Sequence, residues 1–257
     1  MRLFKSLIIA FSMYSVIPMP SIEWDEDSMK YVFCCIPLVG AVCGVLMYLW
    51  YRVSGVLQVN SVIYGAVSAA IPVFITGGIH LDGFCDTNDA LASNQSSEKK
   101  LEIMKDSNSG AFAIIRAGIY FILYAAVFTQ LGNKAAAAVS VVYVLSRAAA
   151  CLMIATTKSV RKNGLVDMFK EKSQKRAVII ASVVYMAVAA AVLMWIDVVY
   201  AGVVAAVLII TYVRFRSMIQ RNFGGITGDV AGYIICMWEI LLIYGVYFAE
   251  RIMCIWC

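Results

Sequence analysis

Histidine is almost missing from this chain: His80 is the only one in 257 residues. Charge is scarce too. Only 14% of residues are Asp, Glu, Lys or Arg, against 62% hydrophobic, where a soluble domain is roughly a quarter charged and half apolar. That shortage excludes an ordinary soluble domain and leaves an integral membrane protein. A net charge of +5 is too small a surplus to suggest a nucleic-acid partner. A small-residue cleavage site is missing after the basic, apolar opening MRLFKSLIIAFSMYSVIPMP; Pro18, Pro20 and an acidic patch stand there instead. The opening therefore reads as a retained interfacial or half-buried helix, not a cleaved signal. Tandem repeats and linker-like stretches are lacking as well, so residues 1–257 are expected to form a single integral membrane domain.

Cysteine is not scarce, but its usual partners are. Cys34, Cys35, Cys43, Cys151 and Cys236 lie in apolar segments, where Cys behaves as a small soft hydrophobe. Cys254 and Cys257 form a CxxC with no second such pair and no nearby histidine. That speaks against zinc. Membrane packing is the expected use, with a redox pair as the alternative if this end faces outside.

What the chain does have is long apolar runs. A spanning helix needs roughly 20 predominantly apolar residues. Segments near 31–51, 60–79, 110–131, 135–156, 177–196, 198–213 and 231–250 qualify, the sixth being short and set off from the fifth by Asp197. The expected fold is all-α: a polytopic integral membrane helix bundle of about seven transmembrane helices plus the amino-terminal helix.

Lys and Arg orient it. Sixteen fall in one alternating set of connections: the amino end, the 80–109 loop, the 157–176 loop and the 214–230 loop. Only Arg52, Lys134 and Arg251 fall in the opposite set. The first set is predicted to be cytoplasmic. Three unusual polar stretches share that side: GGIHLDGFCDTNDA (77–90), EIMKDSNSGAF (102–112) and RNFGGITGDVAG (221–232).

In the first stretch, Asp82, Asp86 and Asp89 are spaced i, i+4, i+7, which places them on one helical stripe. Three carboxylates on one stripe repel unless a cation lies between them. Mg²⁺ takes oxygen ligands and binds through a few carboxylates plus substrate phosphates. Gly77, Gly78 and Gly83 would let backbone approach a ligand closely. The alternative is a solvated acidic helix start, favourable to the macrodipole. His80 is off the stripe; it is either a substrate contact or general base, or an interfacial histidine in a hydrogen bond.

In the second stretch, Lys105 can face a phosphate and Asp106 can join the metal site. Ser107 to Gly110 read as a loop opening the next span, whose first amides are free for an anion. In the third, Gly224, Gly225 and Gly228 surround Thr227 and Asp229. This is either a phosphate-embracing turn, without the Gly-Lys-Ser/Thr of a P-loop, or a plain glycine-rich turn. Arg116, Arg147 and Glu239 lie inside spans and should face the bundle interior or a cavity. Either they line a polar pocket or they pair structurally, Arg147 with Glu239. The basic run from Lys158 to Arg176 sets topology, and can also attract anionic lipid or a nucleotide.

The stretches GGIHLDGFCDTNDAL, LEIMKDSNSGAF and GGITGDVAGYIICMWE closely resemble the three signatures of the cobalamin synthase family, the adenosylcobinamide-GDP ribazoletransferases. IPMP and IPLVGAVCG (36–44) resemble the family's opening, and the likeness runs from about residue 11 to Glu239. Three positions depart: Ala90 stands where the family usually has Gly, Asn108 where Arg often follows KDS, and Val16 where Arg commonly precedes IP.

The resemblance implies transfer of α-ribazole, or its 5′-phosphate, onto adenosylcobinamide-GDP with release of GMP and formation of adenosylcobalamin or its phosphate. It implies Mg²⁺ on Asp82, Asp86 and Asp89. His80, Lys105, Asp106 and Asp229 would be catalytic, and Gly77, Gly78, Arg116, Arg147, Gly225, Thr227 and Gly228 would bind substrate. The expected setting is the cell membrane with the site facing the cytoplasm. Assembly as a homo-oligomer, or with other enzymes of cobalamin assembly, is compatible with it. The spacing is also similar to that of CDP-alcohol phosphotransferases, which makes a lipid head-group phosphotransferase the alternative. A secondary transporter is the more distant one, since the polar motifs gather at one face and no repeat is visible.

Overall fold

The computed structural model describes residues 2–106, 108–160 and 165–256. Ser107, Arg161, Lys162 and Cys257, to which the sequence assigns a loop, a basic run and half of the CxxC, lie outside the described residues. Nearly everything described is helical. No strand forms among the described residues, apart from an isolated bridge between Ser159 and Ile226. The expectation of a polytopic helical membrane bundle holds.

The amino-terminal helix α1 (Arg2–Tyr14) packs on α3 (Val32–Val56). It buries Ile8, Ile9, Ala10 and Phe11. Ser6 donates to the Ser28 carbonyl at 2.6 Å, which ties α1 to the single turn α2 (Glu26–Met29). Exposed ion pairs Lys5–Asp25 and Arg2–Asp27 finish that clip.

Among the described residues, six helices are long and apolar enough to cross a membrane: α3, α7 (Ala111–Phe128), α8 (Asn133–Thr156), α10 (Lys175–Ile196), α11 (Val198–Phe223) and α12 (Gly228–Trp256). The central one is α8, whose alanine-rich sequence lets α3, α10 and α12 pack around it. On α3, Gly40 and Gly44 form a GxxxG face. A Cβ on Gly40 would meet the Tyr143 carbonyl oxygen at 2.2 Å, and one on Gly44 the Ser140 oxygen at 2.0 Å. Lipid chains are as apolar as Leu, so close packing of small residues is what associates helices here. Asp197 ends α10 and starts α11, its carboxylate accepting the Val199 amide at 3.1 Å.

The second expected span behaves differently. Helix α4 (Ser61–Thr76) stops at Gly77 and Gly78, with φ of +61° and +80°. Those left-handed conformations suit glycine and no other residue well. The chain then resumes as α5 (Ile79–Ala92), turned by 98°. The expected 80–109 loop is therefore mostly helix, α5 followed by α6 (Ser97–Ile103). The sixth span also corrects the expectation. It runs on to Phe223, so Arg214, Arg216 and Arg221 sit on α11 and not in a loop. In the basic run, α9 (Leu165–Lys172) docks through Phe169 against Trp24 and Phe33.

Candidate active site

Three sequence-distant stretches meet at one end of the bundle, and α5 is the hub. Its i, i+4, i+7 stripe forms as expected, with Asp82 exposed and Asp86 and Asp89 half-buried. Two contacts lock it in place. Asp89 reaches the second stretch: its Oδ2 accepts the Gly110 amide at 2.6 Å and its Oδ1 the Ala113 amide at 2.8 Å. The aspartate so satisfies two of the orphan amides that open α7. On the next face, Gly83 lets the third stretch come close. A Cβ there would fall 2.5 Å from the Asp229 carbonyl oxygen.

The third stretch is itself stitched to the start of the basic run. The Ile226 amide donates to the Lys158 carbonyl at 2.8 Å. A Cβ on Gly225 would lie 2.3 Å from the same oxygen. Thr227 is buried and caps α12, its hydroxyl accepting the Val230 amide at 3.2 Å. Gly228 is exposed and Asp229 half-buried in the first turn of α12. In the second stretch Lys105 and Asp106 are exposed. Asp106 Oδ1 accepts from the Asn108 amide at 2.9 Å and from its side chain at 3.0 Å. The Asn108 backbone bond, then its side-chain bond, holds the Asp106 carboxyl below the usual carboxylate range.

Among the described residues no three His, Cys, Asp or Glu side chains converge to hold a metal. Both oxygens of Asp89 are engaged with backbone amides. Asp82 is the exposed carboxylate of the stripe, with the half-buried Asp86 one turn on.

His80 does not join them. It points into the bundle, buried, stacked on Tyr14 with ring centroids 6.2 Å apart. Its Nε2 has no hydrogen-bond partner among the described residues. With Tyr120, Arg147 and Glu239 it lines one small interior cavity. Arg147 and Glu239, 1% and 3% exposed, form a buried ion pair. The structural pairing weighed for Arg147 is thus the one the fold adopts. Arg116 is half-buried, and its Nη1 donates to Asn88 Oδ1 at 2.7 Å. Gly77 and Gly78 form the bend itself.

One cation escaped the sequence reading as a site residue. Lys100 on α6 is buried and donates to Asn222 Oδ1 at 2.7 Å, beside the glycine turn. Its tether lies 122 positions away in the sequence, so no local signal marked it.

The profile of the family described as cobalamin-5-phosphate synthase matches residues 6–247. The chain belongs to the cobalamin-5-phosphate synthase family. Curated relatives agree in name. An adenosylcobinamide-GDP ribazoletransferase of Lachnoclostridium phytofermentans is 39% identical over 252 residues, covering 98% of this chain and 97% of the relative. One from Clostridium botulinum is 33% identical, covering 93% and 96%. One from Listeria monocytogenes is 30% identical, covering 94% and 99%. No solved structure matches the chain significantly. Within the cobalamin-5-phosphate synthase family, then, this chain carries its three polar stretches on α5, the α6–α7 connection and the α11–α12 connection.

Proposed function

We propose that this chain is an adenosylcobinamide-GDP ribazoletransferase acting at the cytoplasmic face of the cell membrane. Its relatives of that name match it along almost its whole length. The observation that carries the reading is the lock at α5, where Asp89 holds the start of α7 and Gly83 admits Asp229. One acidic helix thereby meets both other polar stretches. Sixteen of the Lys and Arg residues lie on the side assigned to the cytoplasm, which supports the orientation.

The donor set fits Mg²⁺. Asp82 and Asp86 offer only oxygen, and Mg²⁺ binds through one or two carboxylates plus substrate phosphates. These two residues would hold it, and when bound it would neutralise charge on the pyrophosphate. The chain's own residues do the rest. Lys105 and the exposed backbone at Gly228, where α12 begins, face phosphate oxygens. A ribazole hydroxyl attacks the phosphorus carried by the cobinamide arm. A new P–O bond forms, the pyrophosphate P–O bond breaks, and GMP leaves with the bonding pair.

Asp229 takes the hydroxyl proton. Its backbone packs on Gly83, next to Asp82, which brings the start of α12 to the acidic helix, whereas Asp106 is made a weaker base by Asn108. The test is GMP release by the purified protein from adenosylcobinamide-GDP, α-ribazole and Mg²⁺. Absence of release from folded protein with active substrate rejects the proposal.

A further inference from the structure

A groove of about 580 Å³ runs along α5, α7 and α12 on the side of α5 away from the acidic stripe. Its floor is aromatic. Phe84 stacks on Tyr233 at 5.7 Å and meets Tyr120 at 5.2 Å. Its far end is Phe248. From Tyr233 to Phe248 the groove follows α12 for about 22 Å at 1.5 Å per residue. That exceeds the roughly 15 Å depth of one leaflet, half the hydrocarbon core. Ile119 and Phe248 on its rim are exposed, so it opens sideways where lipid chains lie.

One charge stands in it. Arg116 lines the end nearest the start of α7, inside a spanning helix. Among the described residues its side-chain hydrogen-bond partner is the neutral amide of Asn88, and it makes no salt bridge. A cation placed within a span is costly unless an anion or water answers it. An apolar channel of acyl-chain length that ends at an unanswered guanidinium has the chemistry of an anionic amphiphile. We propose that this groove holds one acyl chain of an anionic phospholipid, with the lipid phosphate on Arg116. The arginine's anion is then the lipid's, and the nucleotide substrate is served by the other side of α5.

The test uses the full-length protein reconstituted in mixed vesicles of phosphatidylglycerol and phosphatidylcholine with identical chains, with retained lipid counted by native mass spectrometry. Wild type should retain phosphatidylglycerol about fivefold over phosphatidylcholine, the worth of one arginine against an anionic lipid. R116Q should abolish that preference, R116K should keep most of it, and I119W, which fills the groove without touching the charge, should lower retention of both lipids. Equal retention in wild type overturns the proposal. So does a preference that survives R116Q, or wild-type retention by I119W, which decides the matter alone if R116Q does not fold. Displacement of phosphatidylglycerol by GDP with Mg²⁺, dependent on Arg116, would give the arginine to the nucleotide and likewise overturn it.

Discussion

Asp89 Oδ2 accepts the backbone amide of Gly110 at 2.6 Å, across 21 residues of sequence. With Ala113 as its second donor, one carboxylate closes the start of α7 against the acidic helix. A capping aspartate thus shares a single stripe with the two aspartates proposed to hold the metal.

The two kinds of aspartate should separate on mutation. Asp89→Ala is expected to cost about 1 kcal/mol, as for loss of an N-cap, and to lower Tm by roughly 2–4 °C. Asp82→Asn should leave Tm unchanged and cut GMP release by about 100-fold or more, the scale of losing a group that stabilises transition-state charge. Thermal unfolding and single-turnover GMP release on the same preparations check both. An Asp82→Asn enzyme with near-normal turnover would remove Asp82 from the metal.

The buried ion pair should obey a double-mutant cycle. Arg147→Met or Glu239→Leu alone strands a charge and should cost about 3–5 kcal/mol. The double variant should recover much of that, because an apolar pair of similar volume leaves nothing stranded. Denaturation midpoints of the four proteins measure it. Strictly additive losses would mean the two side chains do not depend on each other.

The GxxxG face makes a third expectation. Gly44→Ala drives a methyl to within 2.0 Å of the Ser140 oxygen and should destabilise by about 1–3 kcal/mol, as overpacking does. Gly55→Ala, with open space around it, is the matched control and should be neutral or better. Detergent-resistant folding yield and Tm distinguish them.

Acid should loosen the amino-terminal clip late. The Lys5 side-chain bond, followed by the Ser28 bonds, lowers the Asp25 carboxyl from 3.8 to about 2. A depressed carboxyl contributes its stabilisation above the unfolded value and loses it as pH falls through the folded one. The clip should therefore weaken between about pH 4 and pH 2. The Ser28 amide, which donates to Asp25 at 2.7 Å, should titrate by NMR near 2. A midpoint near 4 would show that Asp25 is unpaired in solution.

Much of this fold was legible because membrane helices announce themselves by length and apolarity. The aspartate stripe was legible because 3.6-residue spacing is local, and so was the Asp197 break. What failed was also physical. Arg214 and Arg216 read as the end of a span, yet a helix leaving a bilayer can carry its charges and continue, as α11 does to Phe223. Gly77 and Gly78 read as glycines that let backbone approach a ligand, and their positive φ angles add a use that spacing did not announce, the bend. The role of Asp89 as a cap depends on a partner 21 residues away. The anchoring of Arg116 by Asn88 and of Lys100 by Asn222 is equally non-local.

The 98° bend has a consequence for the bilayer itself. Before it turns, α4 has only 16 residues, about 24 Å of helix at 1.5 Å per residue, against a hydrocarbon core of roughly 30 Å. A span that short is accommodated by local thinning. The bilayer beside α4 is therefore expected to dimple, with α5 lying as a sill across the dip. Its aspartates would then stand a few ångströms below the surrounding head groups, in a shallow basin where the water-borne end of a large amphiphilic substrate can settle without the rest having to enter the hydrocarbon.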